Sequence, residues 1–173
     1  DKPDSQDICF VPHGDYAKVV KSIRPEATTH GKIVHIDGRV IGDHEGIVHY
    51  TIGQRKGIGI GGGIPFYVLK IDPQTHTVTL GRKEDLYARE LTADQLNWVA
   101  LPHAPETPLR VEAQIRQRHQ AAPAELVRSE SDPSKVRVRF DTPQLSITPG
   151  QIVVFYDGAT VLGAGTILSA KNP

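Results

Sequence analysis

The stretch KVRVRF at residues 135–140 decides the fold class of the C-terminal half of this chain. Its apolar side chains fall at every second position, which is the period of a β-strand with one buried face. Similar short segments, separated by turns, surround it at 109–118, 122–129, 151–156 and 160–168. Because several short strands at this spacing favour closure, and closure removes edge strands, the sequence predicts a small closed β-barrel.

The N-terminal half predicts a smaller β-rich region with one short helix. Apolar side chains recur with helical spacing over 15–23, and Pro25 ends that pattern. Period-two or β-branched segments then predict strands, and residues 83–88 predict one helical turn. The predicted strands are 32–35, 40–41, 47–51, 66–71, 77–81 and 96–100.

A proline-rich segment separates the two regions. Residues 101–108, LPHAPETP, hold three prolines in eight positions, which removes backbone donors and stiffens the chain like a linker. The fold class is therefore mainly β, with a small central β-rich domain followed by a β-barrel. The predicted division is an extended segment at 1–13, a central domain at 14–101, a linker at 102–108 and the barrel at 109–173.

Composition excludes several classes of protein. The chain has 173 residues with 20 Lys+Arg against 20 Asp+Glu, so no overall charge attracts a polyanion, and any such site is a local patch. A single cysteine excludes an internal disulfide framework. No apolar run approaches the roughly 20 residues that span a bilayer, and no signal peptide is visible. Because the chain starts at Asp1 and lacks methionine, we expect it to be part of a longer protein.

Cys9 is the only thiol, and its surroundings are polar. A lone cysteine is commonly a small buried apolar residue. Here the segment DSQD precedes it and His13 follows, and a helix N-terminus or a charged imidazole nearby would lower the pKa of a thiol and favour the nucleophilic thiolate. A reactive role is therefore favoured, although no second cysteine is present to complete a thiol cycle.

The glycine-rich stretch 57–63 contains the pattern G-x-G-x-x-G, but its context differs from that of a dinucleotide site. The dinucleotide fingerprint needs a helix directly after the glycines, whereas Pro65 leads here into an extended segment. Two interpretations remain. Arg55 and Lys56 contact a phosphate backbone beside a glycine loop, or the stretch is a solvated hairpin loop.

Two further patterns have ordinary explanations. His44 and His49 resemble the H-E-x-x-H zinc motif but lie five positions apart, and on a strand they would face opposite sides, so no metal is expected. The barrel strands carry basic residues on one face. These residues, which are Arg110, Arg116, Arg118, Lys135, Arg137 and Arg139, form either a solvated exterior or a surface for RNA.

Five segments together resemble the bacterial tRNA-specific 2-thiouridylases. The strings D-S-x-x-I-C-F and T-x-G-Q-R-K-G are the most specific of them, and the segments run from end to end of the chain. They are KPDSQDICF at 2–10, GKIV at 31–34, HYTIGQRKG at 49–57, LNW at 96–98, and TPGQ with VFY at 148–151 and 154–156.

The resemblance implies a chemistry. Members of the family use Mg²⁺-dependent ATP to adenylate the C2 oxygen of the wobble uridine of tRNA, and a cysteine persulfide then supplies sulfur. Cys9 matches the persulfide-bearing cysteine. ATP and a second cysteine belong to an N-terminal domain that this chain lacks, so we expect the chain alone to be inactive and to bind no cofactor. The family architecture is a central domain and a C-terminal six-stranded β-barrel.

The resemblance also implies partners and contact residues. Arg116, Gln117 and Gln151 match positions that touch tRNA in the family, and Arg55 and Lys56 are additional candidates. The other partner is a sulfur donor, which is a cysteine desulfurase or a sulfur-relay protein. We expect a cytoplasmic monomer without a membrane partner.

Two alternatives stay open. A non-catalytic RNA-binding β-barrel module needs no chemistry at Cys9. A thiol hydrolase would use Cys9 with His13, but the sequence offers neither an orienting third group nor an oxyanion loop.

Overall fold

The computed structural model of the chain describes residues 20, 22, 23, 25–61 and 63–171. The chain divides into two compact units, Asp1–Arg82 and Lys83–Pro173. The predicted helix at 15–23 lies mostly outside the described residues, and the described part of it, Val20, Ser22 and Ile23, is helical. Within the described residues no helix has the length and apolar character needed to cross a membrane.

The first unit is built on a four-stranded sheet with the order β2-β1-β4-β3. Strands β1 and β4 run parallel, whereas β1–β2 and β3–β4 are antiparallel pairs. One face carries a core of buried aliphatic side chains that includes Ile33, Val78 and Leu80. The strands are β1 (Gly31–His35), β2 (Val40–His44), β3 (Tyr67–Asp72) and β4 (Thr77–Gly81), and 3-10 helices lie at Pro25–Thr28 and Ile47–His49.

The segment 47–51 is not a strand, and the prediction of one there is wrong. Gly46 has a φ of 154°, so the chain turns away from the sheet as soon as β2 ends. The amide of Gly46 donates to His44 Nδ1 at 3.1 Å, and a 3-10 helix follows at Ile47–His49. The β-branched residues of this segment favour a strand locally, but the turn after a buried histidine overrides that preference.

The second unit is a closed six-stranded barrel with the order β10-β5-β8-β7-β6-β9, as the fold class predicted. Every neighbouring pair is antiparallel. Phe140 and Phe155 are the largest side chains that are fully buried in its interior. The strands are β5 (Tyr87–Trp98), β6 (Leu109–Gln114), β7 (Ala122–Arg128), β8 (Val136–Leu145), β9 (Ile152–Asp157) and β10 (Thr160–Lys171), and a 3-10 helix at Lys83–Leu86 precedes them.

The division between the units differs from the predicted one. Strand β5 pairs with both β8 and β10, so it belongs to the barrel and not to the central domain. The proline-rich segment 102–108 therefore joins two barrel strands, β5 and β6. The division falls instead at Arg82/Lys83. A register shift between Ala88 and Glu90 and a bend at Gln95, whose φ is 48°, interrupt the alternation of β5, so a period-two pattern identifies only part of this strand.

Candidate nucleic-acid interface

Two neighbouring turns form one end of the barrel. Strand β6 ends at Gln114, β9 begins at Ile152, and the pairing of Gln114 with Val154 sets these strand ends side by side. The turn at 115–120 therefore lies next to the turn at 146–151. Of the predicted contact residues, Arg116 and Gln117 lie in the first turn and Gln151 in the second. The structure thus places these three residues in two adjacent turns, and β6 ends at Gln114 where the sequence predicted a strand up to residue 118.

Arg116 is exposed but held at two points. Its Nη1 donates to the carbonyl of Leu145 at 3.0 Å, and its own carbonyl accepts the amide of His119 at 3.0 Å. A guanidinium has five N–H donors, and a phosphate can be bound through two of them in parallel. The contact with Leu145 therefore fixes the direction of the side chain and leaves donors for a ligand.

Gln117 and Gln151 are both exposed and are held through their backbones. The carbonyl of Gln117 accepts a hydrogen bond from Gln114 Nε2 at 3.1 Å. The amide of Gln151 donates to Thr148 at 3.2 Å, and its carbonyl accepts from Ile167 at 2.8 Å. Because these contacts use main-chain atoms, both side-chain amides face solvent, where they are able to donate to and accept from a nucleotide.

The net charge of the two turns differs from that of the whole chain. The turns read IRQRHQ at 115–120 and SITPGQ at 146–151, and they contain Arg116 and Arg118 but no acidic residue. The two turns themselves are therefore positive, while the adjoining 3-10 helix, whose Leu86 carbonyl accepts the Ser146 amide at 3.0 Å, adds Glu84 and Asp85 to this end of the barrel. The two turns are far apart in sequence, and only the β6–β9 pairing reveals that they form one surface.

The basic faces of the barrel strands are largely paired with carboxylates. Arg110 makes a two-pronged contact with Asp141, with N–O distances of 2.8 and 2.6 Å, and this hydrogen bonding lowers the pKa of Asp141 below its ordinary value. Arg139 lies 3.8 Å from Glu90. Arg137 is exposed and makes no ion pair within the described part of the chain. The side of the barrel therefore has mixed charge.

The glycine loop of the first unit is anchored to the core by two isoleucines. Ile58 is buried, and its carbonyl lies 3.5 Å from the hydroxyl of Tyr50. Ile60 packs so closely on Gly42 that a Cβ there would lie 2.6 Å from its Cδ1. Gln54 closes the start of the loop by accepting from the Thr51 amide at 2.9 Å. The loop is therefore docked on the sheet, which a freely solvated hairpin would not be.

The outer side of this loop borders a concavity of about 580 Å³. Arg55 and Lys56 line it and are exposed, and neither makes an ion pair among the described residues. Gly61 also lines it, and a Cβ on this residue would meet no atom within 4 Å. Two cations thus flank a stretch of accessible backbone, which suits a phosphate group.

The described residues do not fit a site for a nucleoside triphosphate. After the glycines the chain passes through Pro65 and enters strand β3 at Tyr67, so in the described part of the chain no helix begins directly after the loop. Metal-ligand geometry is likewise not found: the described residues contain no group of three His, Cys, Asp or Glu side chains that could hold an ion. His44 is buried and His49 is exposed.

The cysteine predicted to carry sulfur lies outside the described residues. His13 also lies outside the described residues.

A set of polar side chains that carry no signal in the sequence holds the first turn. Gln114 Nε2 donates to the carbonyls of Gln117 and His119 at 3.1 and 2.7 Å. The hydroxyl of Tyr156 is 3.2 Å from Gln114 Oε1, and His119 Nε2 is 3.0 Å from Gln144 Oε1. The amphipathic pattern of β6 identifies Gln114 only as an outward-facing residue.

Family models match both units and define the class of protein. Residues 17–82 match the tRNA methyl transferase PRC-barrel domain, and residues 88–167 match the aminomethyltransferase beta-barrel domain. These ranges agree with the two units of the structure. The first unit is thus similar to a PRC-barrel domain and the second to an aminomethyltransferase-type β-barrel.

Curated relatives identify the family. Proteins named tRNA-specific 2-thiouridylase MnmA match from Acetivibrio thermocellus, with 48% identity over 96% of this chain, and from Paramagnetospirillum magneticum, with 45% over 99%. The protein of the same name from Rickettsia typhi matches with 46% identity over 96%. The chain belongs to the family of tRNA-specific 2-thiouridylases. It spans 45%, 44% and 46% of the length of these three relatives.

Proposed function

We propose that this chain is part of a cytoplasmic sulfurtransferase that places sulfur on C2 of the wobble uridine of tRNA. The observation that carries the proposal is the pair of adjacent turns at one end of the barrel, which hold Arg116, Gln117 and Gln151 and contain no acidic residue of their own. The relatives bear the name of this activity. The rest of the whole protein binds ATP in this proposal, and ATP serves to activate the C2 oxygen as a leaving group.

In this proposal Cys9 carries the transferable sulfur. A sulfur-donor protein, a cysteine desulfurase or a sulfur-relay protein, converts the thiol to a persulfide. The terminal sulfur forms a bond to C2 while the activated oxygen leaves. A second cysteine of the whole protein then attacks the Cys9 sulfur, which breaks the S–S bond, leaves sulfur on the uridine and forms a disulfide between the two cysteines. A thiol reductant restores both groups.

The contacts to tRNA divide into two kinds. Arg116 binds phosphate through its fork of N–H donors, and Gln117 and Gln151 supply neutral donors and acceptors beside it. Arg55 and Lys56 add phosphate contacts at the glycine loop of the other unit. Since each neutralised phosphate releases counterions, affinity falls as salt rises, with a slope set by the number of contacts.

A pair of matched arginine variants tests the barrel end. Binding of the chain to an unmodified tRNA transcript is measured by fluorescence anisotropy at several salt concentrations. We expect Arg116→Ala to weaken binding about five- to tenfold and to lower the slope of log K against log salt by about 0.7–0.9, the value for one phosphate contact. Arg137 lies near the start of β8, whereas Arg116 contacts Leu145 at the end of that strand. Arg137→Ala removes the same charge and should change the affinity and the salt slope far less. Equal effects of the two variants would rule out a specific site at the barrel end.

A second experiment tests the chemistry at Cys9. The full-length protein with Cys9→Ser should bind tRNA with unchanged affinity and form no 2-thiouridine, as measured by mass spectrometry of digested tRNA. Retained thiolation would exclude Cys9 as the sulfur carrier. If the full-length protein with Cys9 intact forms no 2-thiouridine while Arg116→Ala still weakens binding, the second candidate function remains, a non-catalytic RNA-binding module, whose only support here is the barrel end.

A further inference from the structure

We infer that Gln114 is a positioning residue that fixes Arg116 and Gln117 for contact with tRNA. The inference rests on the proposed function and adds a residue to it. Gln114 is the last residue of β6, directly before the turn that carries both contact residues. It does not need to touch the nucleic acid, because its amide acts on the backbone of that turn.

The orientation of the Gln114 amide follows from its partners. The carbonyls of Gln117 and His119 are acceptors only, so the Nε2 group must face them, at 3.1 and 2.7 Å. Oε1 then faces Tyr156, whose hydroxyl donates to it at 3.2 Å. All three hydrogen bonds are satisfied by one arrangement, with no competing amide flip. Tyr156 on the neighbouring strand β9 therefore orients the Gln114 amide, and this amide in turn holds the backbone of the turn.

Gln114 makes no direct hydrogen bond to Arg116 but acts on the residues that hold it. Its carbonyl accepts from the amide of His119, whose own carbonyl is held by Gln114. His119 Nε2 also lies 3.0 Å from Gln144 Oε1 at the end of β8. The adjoining Leu145 carbonyl receives the Arg116 guanidinium. Movement of the turn therefore shifts the Arg116 backbone relative to the carbonyl that directs its side chain.

The barrel itself does not depend on the Gln114 side chain. The neighbours Ala113 and Ile115 are buried in the core, whereas Gln114 lies on the outer side with intermediate exposure. The backbone pairs of Gln114 with Val154 and of Ala113 with Phe155 hold β6 in the sheet. Loss of the side-chain amide should therefore release the turn while leaving the barrel folded.

The test is Gln114→Met, which keeps the length and neutral charge of the side chain but removes its hydrogen bonds. Binding to the same tRNA transcript should weaken about three- to tenfold. The salt slope should also fall by about 0.7–0.9, because a misplaced Arg116 loses its phosphate even though no charge has been removed. A purely structural role would not change the salt slope. The melting temperature of the barrel, followed by Trp98 fluorescence, should remain close to that of the unmodified chain.

Three companion variants complete the design. Tyr156→Phe removes the hydroxyl that orients the amide and should weaken binding in the same direction but less, which provides a second reading if Gln114→Met unfolds. Gln74→Met, an exposed glutamine of the other unit, should have no effect. In the Arg116→Ala background, Gln114→Met should weaken binding no further, apart from any contribution of Gln117.

The outcomes separate the two proposals. If Arg116→Ala weakens binding but Gln114→Met and Tyr156→Phe do not, the positioning role is overturned and the tRNA site stands. If Gln114→Met and Arg116→Ala add fully, Gln114 does not act through Arg116 and the inference also fails. If Arg116→Ala itself has no effect, the proposed site is wrong and the positioning role falls with it.

Discussion

Among the histidines of the first unit that the structure describes, His44 is the buried one, and its titration should contribute to the pH dependence of stability. His44 Nδ1 accepts the amide of Gly46, so the ring proton must lie on Nε2, which donates to the carbonyl of His76 at 3.0 Å. Burial disfavours the charged ring and lowers the pKa of His44 below its ordinary value. A second proton on Nδ1 would replace the bond from Gly46 with a clash between two donors.

The sign of the pH dependence follows from this shift. The pKa of His44 is lower in the folded than in the unfolded chain, so the unfolded chain binds the extra proton first as pH falls through about 6.5. The unfolding free energy should therefore decrease from pH 7.5 to pH 5.5, until the folded form is also protonated. Urea titrations followed by the folded amide resonances of β1 should show this loss.

Matched variants isolate the contribution of His44. His44→Gln removes the titrating group, so the difference in stability between the two pH values should shrink. His49→Gln, which changes an exposed ring, serves as the control. An unchanged pH dependence in His44→Gln would show that other groups cause it.

At the scale of single residues, the sequence indicates candidate contact residues better than it indicates the side chains that hold them in place. The resemblance names Arg116, Gln117 and Gln151 as tRNA contacts, which stay predictions, and the structure places them in two adjacent turns. The hydrogen bonds of Gln114 are not indicated by the sequence, because one of their partners, Tyr156, lies 42 positions away along the chain. A local sequence pattern does not indicate a hydrogen-bond partner that lies on another strand.

The glycine loop is the element whose contribution to binding is easiest to separate. Ile58 and Ile60 anchor its inner side, while Arg55 and Lys56 stay exposed. The double variant Arg55→Ala/Lys56→Ala should lower the salt slope for tRNA binding by about 1.4–1.8 if both cations contact phosphate. It should leave stability nearly unchanged, because exposed unpaired charges contribute little.

A charge-matched control uses cations of the same unit that lie outside the loop. Lys70, which is 3.9 Å from Asp72, and Lys32, which pairs with Asp43 at 2.6 Å, are replaced together by alanine. A salt slope that falls equally in both double variants would assign the effect to net charge and would contradict a phosphate site at the loop.

At the scale of elements, sequence patterns succeeded where local and distant preferences agree. Strand β4 occupies Thr77–Gly81 as predicted, because its β-branched alternation lies in the middle of a sheet. The prediction of a strand at 47–51 is wrong because the chain turns at Gly46, whose amide binds His44. Strand β5 was recognised only near Trp98, since its pairing partners β8 and β10 lie far along the chain.

The architecture of the whole molecule predicts which fragments fold. The two units have separate hydrophobic cores, and the barrel is complete within Lys83–Pro173. A fragment of residues 83–173 should therefore fold alone, with a dispersed NMR spectrum and cooperative melting. A fragment of residues 102–173, cut before the proline-rich segment, lacks β5 and exposes the edges of β8 and β10, so it should be unfolded or aggregated.

The contrasting result is equally clear. If residues 102–173 form a stable monomer with dispersed resonances, strand β5 is dispensable and the barrel is not the closed unit described. Residues 101–173 differ from 102–173 only by Leu101 and should behave in the same way, which controls for the choice of cutting point.

The pairing of the first and last barrel strands has a further consequence. Lys171 at the end of β10 lies opposite Glu90 near the start of β5. The polypeptide thus enters and leaves the barrel at adjacent points. A loop that joins those points, with new termini in the turn at 157–160, would give a circularly permuted barrel with the same six strands. Because both chain ends lie together, such a barrel could also be inserted into a surface loop of an unrelated protein without disrupting its strand pairing.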